Sequence, residues 1–210
     1  MRPAARDLLP AIGFSAGMVV FALAAHRPSL LAPRIAGAAL AAVCLAGALA
    51  KANRPAVTLG FTRPAKARAW FALPLCLAVG IAAGMYYRTA QGRCLFPAAL
   101  TGFCLLSAAI GGAEELAYRG FVQSQLRRWG PILPCIAAAA AHTAYKCALL
   151  AMPAGPERPA FLSLALGTLI GGTVFGLMRQ YLGSIAFPLA AHVAFDVIVY
   201  GDLAAAPWWA

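Results

Sequence analysis

The chain alternates long apolar runs with short polar connections. The runs cover residues 8–25, 30–50, 69–87, 95 to about 125, 131–152, 161–178 and 182–200. Each run is about as long as, or longer than, the roughly 20 apolar residues that a helix needs to cross a bilayer core about 30 Å thick. The pattern predicts an all-α, polytopic transmembrane helical bundle of about seven spans, which forms a single integral membrane domain over residues 1–210.

Composition supports this interpretation. Hydrophobic residues make up 62% of the chain and charged residues 11%, against roughly 25% charged residues in a soluble domain. The net charge is +11, but the basic residues lie between apolar runs and do not form a stripe with interleaved aromatic residues. We therefore expect contact with the lipid bilayer and no nucleic-acid partner.

The basic residues of the connections predict the orientation. A cytoplasmic N-terminus assigns ten of them to the cytoplasm: Arg2, Arg6, Lys51, Arg54, Arg63, Lys66, Arg68, Arg127, Arg128 and Arg179. Five then lie outside: Arg27, Arg34, Arg88, Arg93 and Arg158. The positive-inside rule favours this orientation, and the short, alanine-rich design favours a bacterial inner membrane. A cleavable signal peptide at the N-terminus is the alternative for the first run.

Besides Lys146, six ionisable residues interrupt the later apolar runs. They are Glu114, Glu115, Arg119, His142, His192 and Asp196. A charged side chain at the bilayer centre costs about 2.5 to 3.5 kcal/mol on insertion scales. The six are therefore expected to face one another or a water-filled cavity and not the lipid.

Spacing suggests how these residues pair. Glu115 and Arg119 are four apart on one helix and can form an ion pair. Glu114 points about 100° away from Glu115, so it is expected to stay without a charged partner and is the candidate general base. Lys146 is interpreted as an interfacial residue that extends towards the headgroups.

The remaining candidates come from two other helices. His192 and Asp196 are four apart and share one face of the last helix, while His142 lies alone on the fifth. Glu114, His142 and His192 each lie roughly 16 to 20 Å from the cytoplasmic end of their helix, at about 1.5 Å per residue. One carboxylate and two imidazoles can therefore meet at one depth.

The string Glu-Glu-Leu-Ala-Tyr-Arg at residues 114–119 resembles the EExxxR motif of the CPBP intramembrane protease family, which includes the CAAX prenyl endopeptidases. The family's third motif, a histidine followed four residues later by Asn or Asp, matches His192 and Asp196. His142 stands for the histidine of the second motif, with Ala138 where the family has phenylalanine. The resemblance covers residues 95–200 as the catalytic core, and residues 1–94 correspond to variable N-terminal spans.

The resemblance implies an intramembrane endopeptidase that acts on a membrane-associated or C-terminal-tail peptide. It implies that Glu114 activates water, that His142 and His192 assist activation and stabilise the oxyanion, and that Asp196 takes the place of the usual Asn. Glu115 and Arg119 would form a structural ion pair. No cofactor is expected, although two imidazoles and carboxylates leave a zinc metalloprotease open; an HExxH helix is absent.

Two other functions remain possible from the residues alone. One is a catalytically silent membrane scaffold or immunity protein that uses the same fold for binding. The other is a proton-coupled carrier, because buried Glu, His and Asp also form proton relays. A relay would place polar groups at successive depths, whereas these residues are predicted at one level, which favours a reaction site.

Overall fold

Apolar segments in lipid must satisfy their backbone polar groups internally, and helices do so within one segment. The computed structural model describes residues 8–25, 27–63, 67–150 and 161–204. Over these ranges the protein is helical and contains no strand, so the all-α prediction is confirmed. The helices are α1 (Leu9–Ala24), α2 (Leu31–Ala50), α3 (Pro55–Thr58), α4 (Leu73–Ala90), α5 (Gly102–Glu115), α6 (Gln123–Leu126), α7 (Leu133–Leu150), α8 (Phe161–Leu182) and α9 (Ala186–Tyr200).

The helices include spans of the length that a bilayer requires. Within the described residues, three are long and apolar enough to cross on their own: α2, the stretch Trp70–Ala90 and α8. The helices α1 and α9 are shorter apolar helices. The protein is therefore an integral membrane protein, and the predicted number of seven spans is approximate. Some positions used in the sequence analysis lie outside the described residues. They are residues 151–152 of the fifth predicted span and four basic residues that were used to predict the orientation: Arg2, Arg6, Lys66 and Arg158.

A π-helical segment, Leu116–Val122, joins α5 to α6 without a break. Its i→i+5 turns are wider than α-helical turns and are frequent at functional sites. Gly120 allows the chain after α3 to approach this segment, because a Cβ at this position would lie 2.7 Å from the Leu59 carbonyl oxygen. The segment follows directly on Glu115, so it separates the glutamates from α6.

Helix α9 lies between α4, α5 and α8. Glycines on α4 make this close packing possible: a Cβ at Gly80 would overlap the Ala191 carbonyl oxygen, and one at Gly84 would lie 2.8 Å from Ile198. Such small residues let helices approach closely in membranes. Helix α1 packs on α2, α7 and the π-helical segment, where Phe14 meets Phe121 edge to face at 5.3 Å.

An arginine clamp fixes the ends of α4 and α9. Arg88, in the last turn of α4, is 1% exposed. It donates hydrogen bonds to the carbonyl oxygens of Cys94 at 2.6 Å and Ile198 at 3.2 Å, and to Asp202 Oδ2 at 2.9 Å. Arg93 also bonds to Asp202. Arg88 was predicted to lie after the third apolar run, among the residues outside the cytoplasm. It lies within α4, where it is buried and stabilises the helix end.

Candidate active site

Two adjacent glutamates end α5. Glu114 is 6% exposed and Glu115 is 0% exposed. Because neighbouring residues of a helix point about 100° apart, the two carboxylates meet different partners. Glu115 turns towards α8 and α9, and Glu114 turns towards α7. The boundary between α5 and the π-helical segment thus places two acidic groups between three helices.

Glu115 is the centre of a hydrogen-bond network. Its Oε1 accepts from Arg119 Nη1 at 2.8 Å and is 2.8 Å from His192 Nδ1. Arg119 Nη1 also lies 2.9 Å from His142 Nδ1, and its Nε donates to the Gly172 carbonyl oxygen at 3.3 Å. A side chain at Gly172 would overlap the guanidinium. The ion pair of Glu115 and Arg119 therefore connects α5, α7, α8 and α9.

The network determines the tautomer of His142. A guanidinium can only donate, so His142 Nδ1 must accept from Arg119. The proton of a neutral imidazole is then on Nε2, which points at Glu114 Oε2 at 3.2 Å. Tyr118 stacks on the ring, with 4.6 Å between ring centroids and 24° between ring planes. His142 is therefore held in one orientation, with an N–H directed at Glu114.

His192 is oriented from the opposite side. Its Nδ1 donates a hydrogen bond to the carboxylate of Glu115. Its Nε2 lies 3.9 Å from both Glu114 Oε2 and Asp196 Oδ2. These distances are too long for direct hydrogen bonds but suit bridging by a water or a peptide oxygen. His192 Nε2 is therefore close to two carboxylate oxygens without a direct hydrogen bond to either, which leaves it able to bind a reacting group.

Lys146 changes the expected charge distribution. Its Nζ forms an ion pair with Glu114 Oε1 at 2.6 Å, and its side chain is only 18% exposed. The interpretation of Lys146 as an interfacial residue is wrong, and so is the expectation that Glu114 lacks a charged partner. The sequence contained a signal for this contact, because Lys146 follows His142 by four residues and shares its helix face.

Gly111 leaves space for the residues of α9. A Cβ at Gly111 would overlap Asp196 Oδ2 and lie 3.1 Å from His192 Cδ2. Asp196 itself is 5% exposed. Ala138, where the resemblance would place phenylalanine, is completely buried in the core that contains Tyr118. The structure therefore brings Glu114, His142, His192 and Asp196 together, and adds Lys146 and Gly111, which the sequence interpretation missed.

Comparison with known proteins agrees with this arrangement. Residues 96–198 match the family model of the Rce1-like type II CAAX prenyl endopeptidases. The matched residues include α5 to α9 and hence every residue of the cluster. No curated protein and no solved structure is significantly similar to the chain. The chain thus belongs to the Rce1-like type II CAAX prenyl endopeptidases, a family of membrane proteases, as its EExxxR motif predicts.

Proposed function

We propose that this protein is an intramembrane endopeptidase that hydrolyses a peptide bond in a membrane-associated peptide or a C-terminal tail. The observation that carries the proposal is that His192 Nε2 lies 3.9 Å from both Glu114 Oε2 and Asp196 Oδ2, a separation that a water can bridge. A bound water there would have a carboxylate on one side and an imidazole on the other. This is the arrangement that general-base hydrolysis needs.

Glu114 acts as the general base in this mechanism. Its Oε2 takes a proton from water while the water oxygen attacks the carbonyl carbon of the scissile bond. The tetrahedral intermediate then collapses, the C–N bond breaks, and Glu114 returns the proton to the leaving amine. The products are a free carboxylate and a free amine. His142 keeps the carboxylate in place through Nε2 at 3.2 Å.

His192 stabilises the oxyanion. Three carboxylates (Glu114, Glu115 and Asp196) face only two permanent cations in the cluster, and a proton on His192 would balance the charge. Both ring nitrogens then donate, Nδ1 to Glu115 and Nε2 to the oxyanion. Such preorganised donors often supply the largest part of catalysis. Asp196, in the place of the usual Asn, supports the charged imidazole from the same helix.

The donor set does not fit a zinc ion. Arg119 donates to His142 Nδ1, so Nε2 carries the proton of the neutral ring and has no lone pair for a metal. Lys146 pairs with Glu114 Oε1, which leaves one oxygen of that carboxylate free to bind. Among the described residues, no three His, Cys, Asp or Glu side chains are arranged to hold a metal. We therefore propose a metal-independent, glutamate-type protease. Full cleavage in excess phenanthroline is expected; loss of cleavage that zinc restores would reject this version.

The proposal includes location and domain organisation. Residues 95–200 form the catalytic core, and residues 1–94 are the N-terminal spans that complete the bundle. The protein resides in a bacterial inner membrane with its N-terminus in the cytoplasm. Labelling of cysteines introduced near residues 54 and 92 with a membrane-impermeant reagent tests the orientation, because the two positions should label from opposite sides.

Peptide mapping tests the activity itself. Wild-type protein and Glu114→Gln, reconstituted in nanodiscs, are incubated with a library of membrane peptides, and new termini are mapped by mass spectrometry. Asp202→Asn is the matched control, since it makes the same carboxylate-to-amide change outside the cluster. Cleavage by wild type and Asp202→Asn, with a loss of about 10²- to 10⁴-fold in Glu114→Gln, is expected. Cleavage that survives in Glu114→Gln, or its absence in folded wild type, would contradict the proposal.

A further inference from the structure

We propose that Lys146 is a positioning residue of this site, which keeps Glu114 ionised and directs its free oxygen towards the reacting water. The inference rests on the proposed function and assigns a role to a residue outside the three family motifs. Lys146 lies on α7, one turn after His142, and its Nζ is 2.6 Å from Glu114 Oε1. The Tyr145 ring lies 5.9 Å from the same ammonium group.

The first argument concerns the charge of Glu114. An isolated carboxylate in an apolar interior takes up a proton, because the ionised form loses its hydration. A protonated Glu114 could not accept a proton from water. An ammonium group at 2.6 Å compensates the carboxylate inside the membrane. Lys146 is in turn stabilised by Glu114, so neither group is buried without its counter-ion.

The second argument concerns the two oxygens of the carboxylate. Oε1 is bound by Lys146, whereas Oε2 faces His142 Nε2 at 3.2 Å and His192 Nε2 at 3.9 Å. An ion pair at one oxygen restrains the rotation of the carboxylate group and therefore the direction of the other oxygen. Lys146 thus leaves Oε2 free to face His192 Nε2 and a water beside it. It acts through Glu114 and does not itself touch the substrate.

Other charged or titratable groups also face Glu114 and determine its protonation together with Lys146. They are His142 and Tyr145 on α7, His192, Asp196 and Tyr200 on α9, and Glu115, Tyr118 and Arg119 on its own helical stretch. Within the described part of the chain, Lys146 is the one permanent cation that forms an ion pair with Glu114. Removing Lys146 should therefore change the ionisation of Glu114 more than removing any of the groups named above.

Kinetics test the inference with three variants. Lys146→Met removes the charge, Lys146→Arg keeps it, and Lys51→Met makes the same change at an exposed lysine after α2. In Lys146→Met we expect kcat to fall about tenfold or more, less than the 10²- to 10⁴-fold effect of losing a general base. KM should change little, and the acidic limb of the pH–rate profile should move to higher pH. Lys146→Arg should restore most of the rate.

Infrared spectroscopy gives a readout that needs no substrate. At neutral pH, Lys146→Met should gain the carbonyl stretching band of a protonated carboxyl group relative to wild type. The double variant Lys146→Met, Glu114→Gln should lack that gain, which assigns the band to Glu114. Lys51→Met should match wild type. A Lys146→Met protein without the additional band would overturn the inference even if cleavage were weak.

The results separate the two proposals. If Glu114→Gln retains cleavage, the proposed function fails whatever Lys146 does. If cleavage depends on Glu114 while Lys146→Met shows wild-type kcat and an unchanged pH–rate profile, the function stands and the role of Lys146 is rejected. A reduced rate in Lys146→Met that Lys146→Arg does not restore would indicate a loss of packing and would also reject it.

Discussion

Two buried arginines of this bundle form hydrogen bonds with different kinds of partner. Arg88 and Arg119 are each 1% exposed. Arg88 bonds to backbone carbonyls and to Asp202 at the ends of α4 and α9. Arg119 bonds to a glutamate, a histidine and one carbonyl, and its Nη2 has no hydrogen-bond partner within the described part of the chain.

The difference distinguishes a structural cluster from a reactive one. Every nitrogen of the Arg88 guanidinium donates to a backbone carbonyl or to Asp202, and none of these groups changes its charge in the proposed reaction. The Arg119 cluster is built from groups that gain or lose protons, and Glu115 Oε2 also lacks a hydrogen-bond partner among the described residues. Since most buried polar groups in proteins are satisfied, these unsatisfied atoms beside titratable groups support the proposal that the reaction takes place in this cluster.

The largest effect expected in the Arg119 cluster outside Glu114 is at His192. An asparagine there can donate to Glu115 in place of Nδ1 but has no counterpart to Nε2. His192→Asn should keep its melting temperature within a few degrees of wild type while cleavage falls about 10²- to 10³-fold, as for the loss of an oxyanion donor. A peptide-cleavage assay beside a thermal melt measures both. Retained cleavage would show that Nε2 does not take part.

The corresponding change in the other cluster should affect stability and not chemistry. Arg88→Leu removes the donor of several helix-end carbonyls and one of the two arginine partners of Asp202, which keeps its contact with Arg93. Breaking a fully buried pair costs about 3–5 kcal/mol, and the loss here is expected at or below the lower end of that range, because Arg93 remains and Asp202 is partly exposed. Unfolding in detergent should show this loss, with cleavage per folded molecule close to wild type. Arg88→Lys should recover only part of it, because an ammonium cannot reproduce the planar guanidinium bonds. A stable Arg88→Leu would contradict the structural assignment.

A smaller effect is expected at neighbouring glycines of α5. Gly111→Ala introduces a methyl group against Asp196 and His192, whereas Gly112 has no atom within 4 Å of its added Cβ. We expect Gly111→Ala to reduce cleavage several-fold. Gly112→Ala should keep full cleavage and gain up to about 1 kcal/mol of stability from helix propensity. Equal cleavage in both variants would show that the approach of α9 to α5 does not limit the reaction.

The smallest effect concerns pH and the arginine clamp. Hydrogen bonds from Arg88 hold the pKa of Asp202 well below its ordinary value, against the opposing effect of burial. A lowered pKa stabilises the fold above the unfolded value of about 3.9, and this stabilisation is lost as pH falls below it. The difference in melting temperature between wild type and Asp202→Asn should be constant from about pH 7 to 5 and narrow below about pH 4. If this difference in melting temperature already becomes smaller near pH 6, a titratable group other than Asp202 causes the pH dependence.

The sequence predicted the helices well and their ends less well. Apolar length places the spans, but composition does not show where a helix stops. Residues 95–101 continue the apolar run, yet α5 begins at Gly102, because the Thr101 hydroxyl accepts a hydrogen bond from the Cys104 backbone N–H and caps the helix. Helix α8 runs to Leu182, beyond its predicted end, and Gly183, with φ of +78°, ends it.

The site was partly predictable for a related reason. The cost of charge in lipid identified Glu114, His142, His192 and Asp196, and spacing identified the pair of Glu115 and Arg119. Spacing also placed Lys146 on the face of His142, but a lysine can extend to the headgroups or turn inwards. Only the position of α5 beside α7 decides between these orientations. The buried Arg88 was missed for the same reason, since its partner Asp202 is remote in sequence.

The π-helical segment Leu116–Val122 has a consequence for insertions and deletions. Before it, α5 packs on α9; within it, the chain packs on α1, α7 and α8. Each α-helical residue turns the chain by about 100°, whereas each residue of the wider i→i+5 turns rotates it by less. A regular α-helix of the same seven residues would therefore present α6 at a different angle. Gln123, whose amide donates to the Gly176 carbonyl oxygen at 3.0 Å, would then leave α8. An insertion or deletion in this segment must therefore be matched by a change in turn type, and the buried residues 118–122 should accept few substitutions.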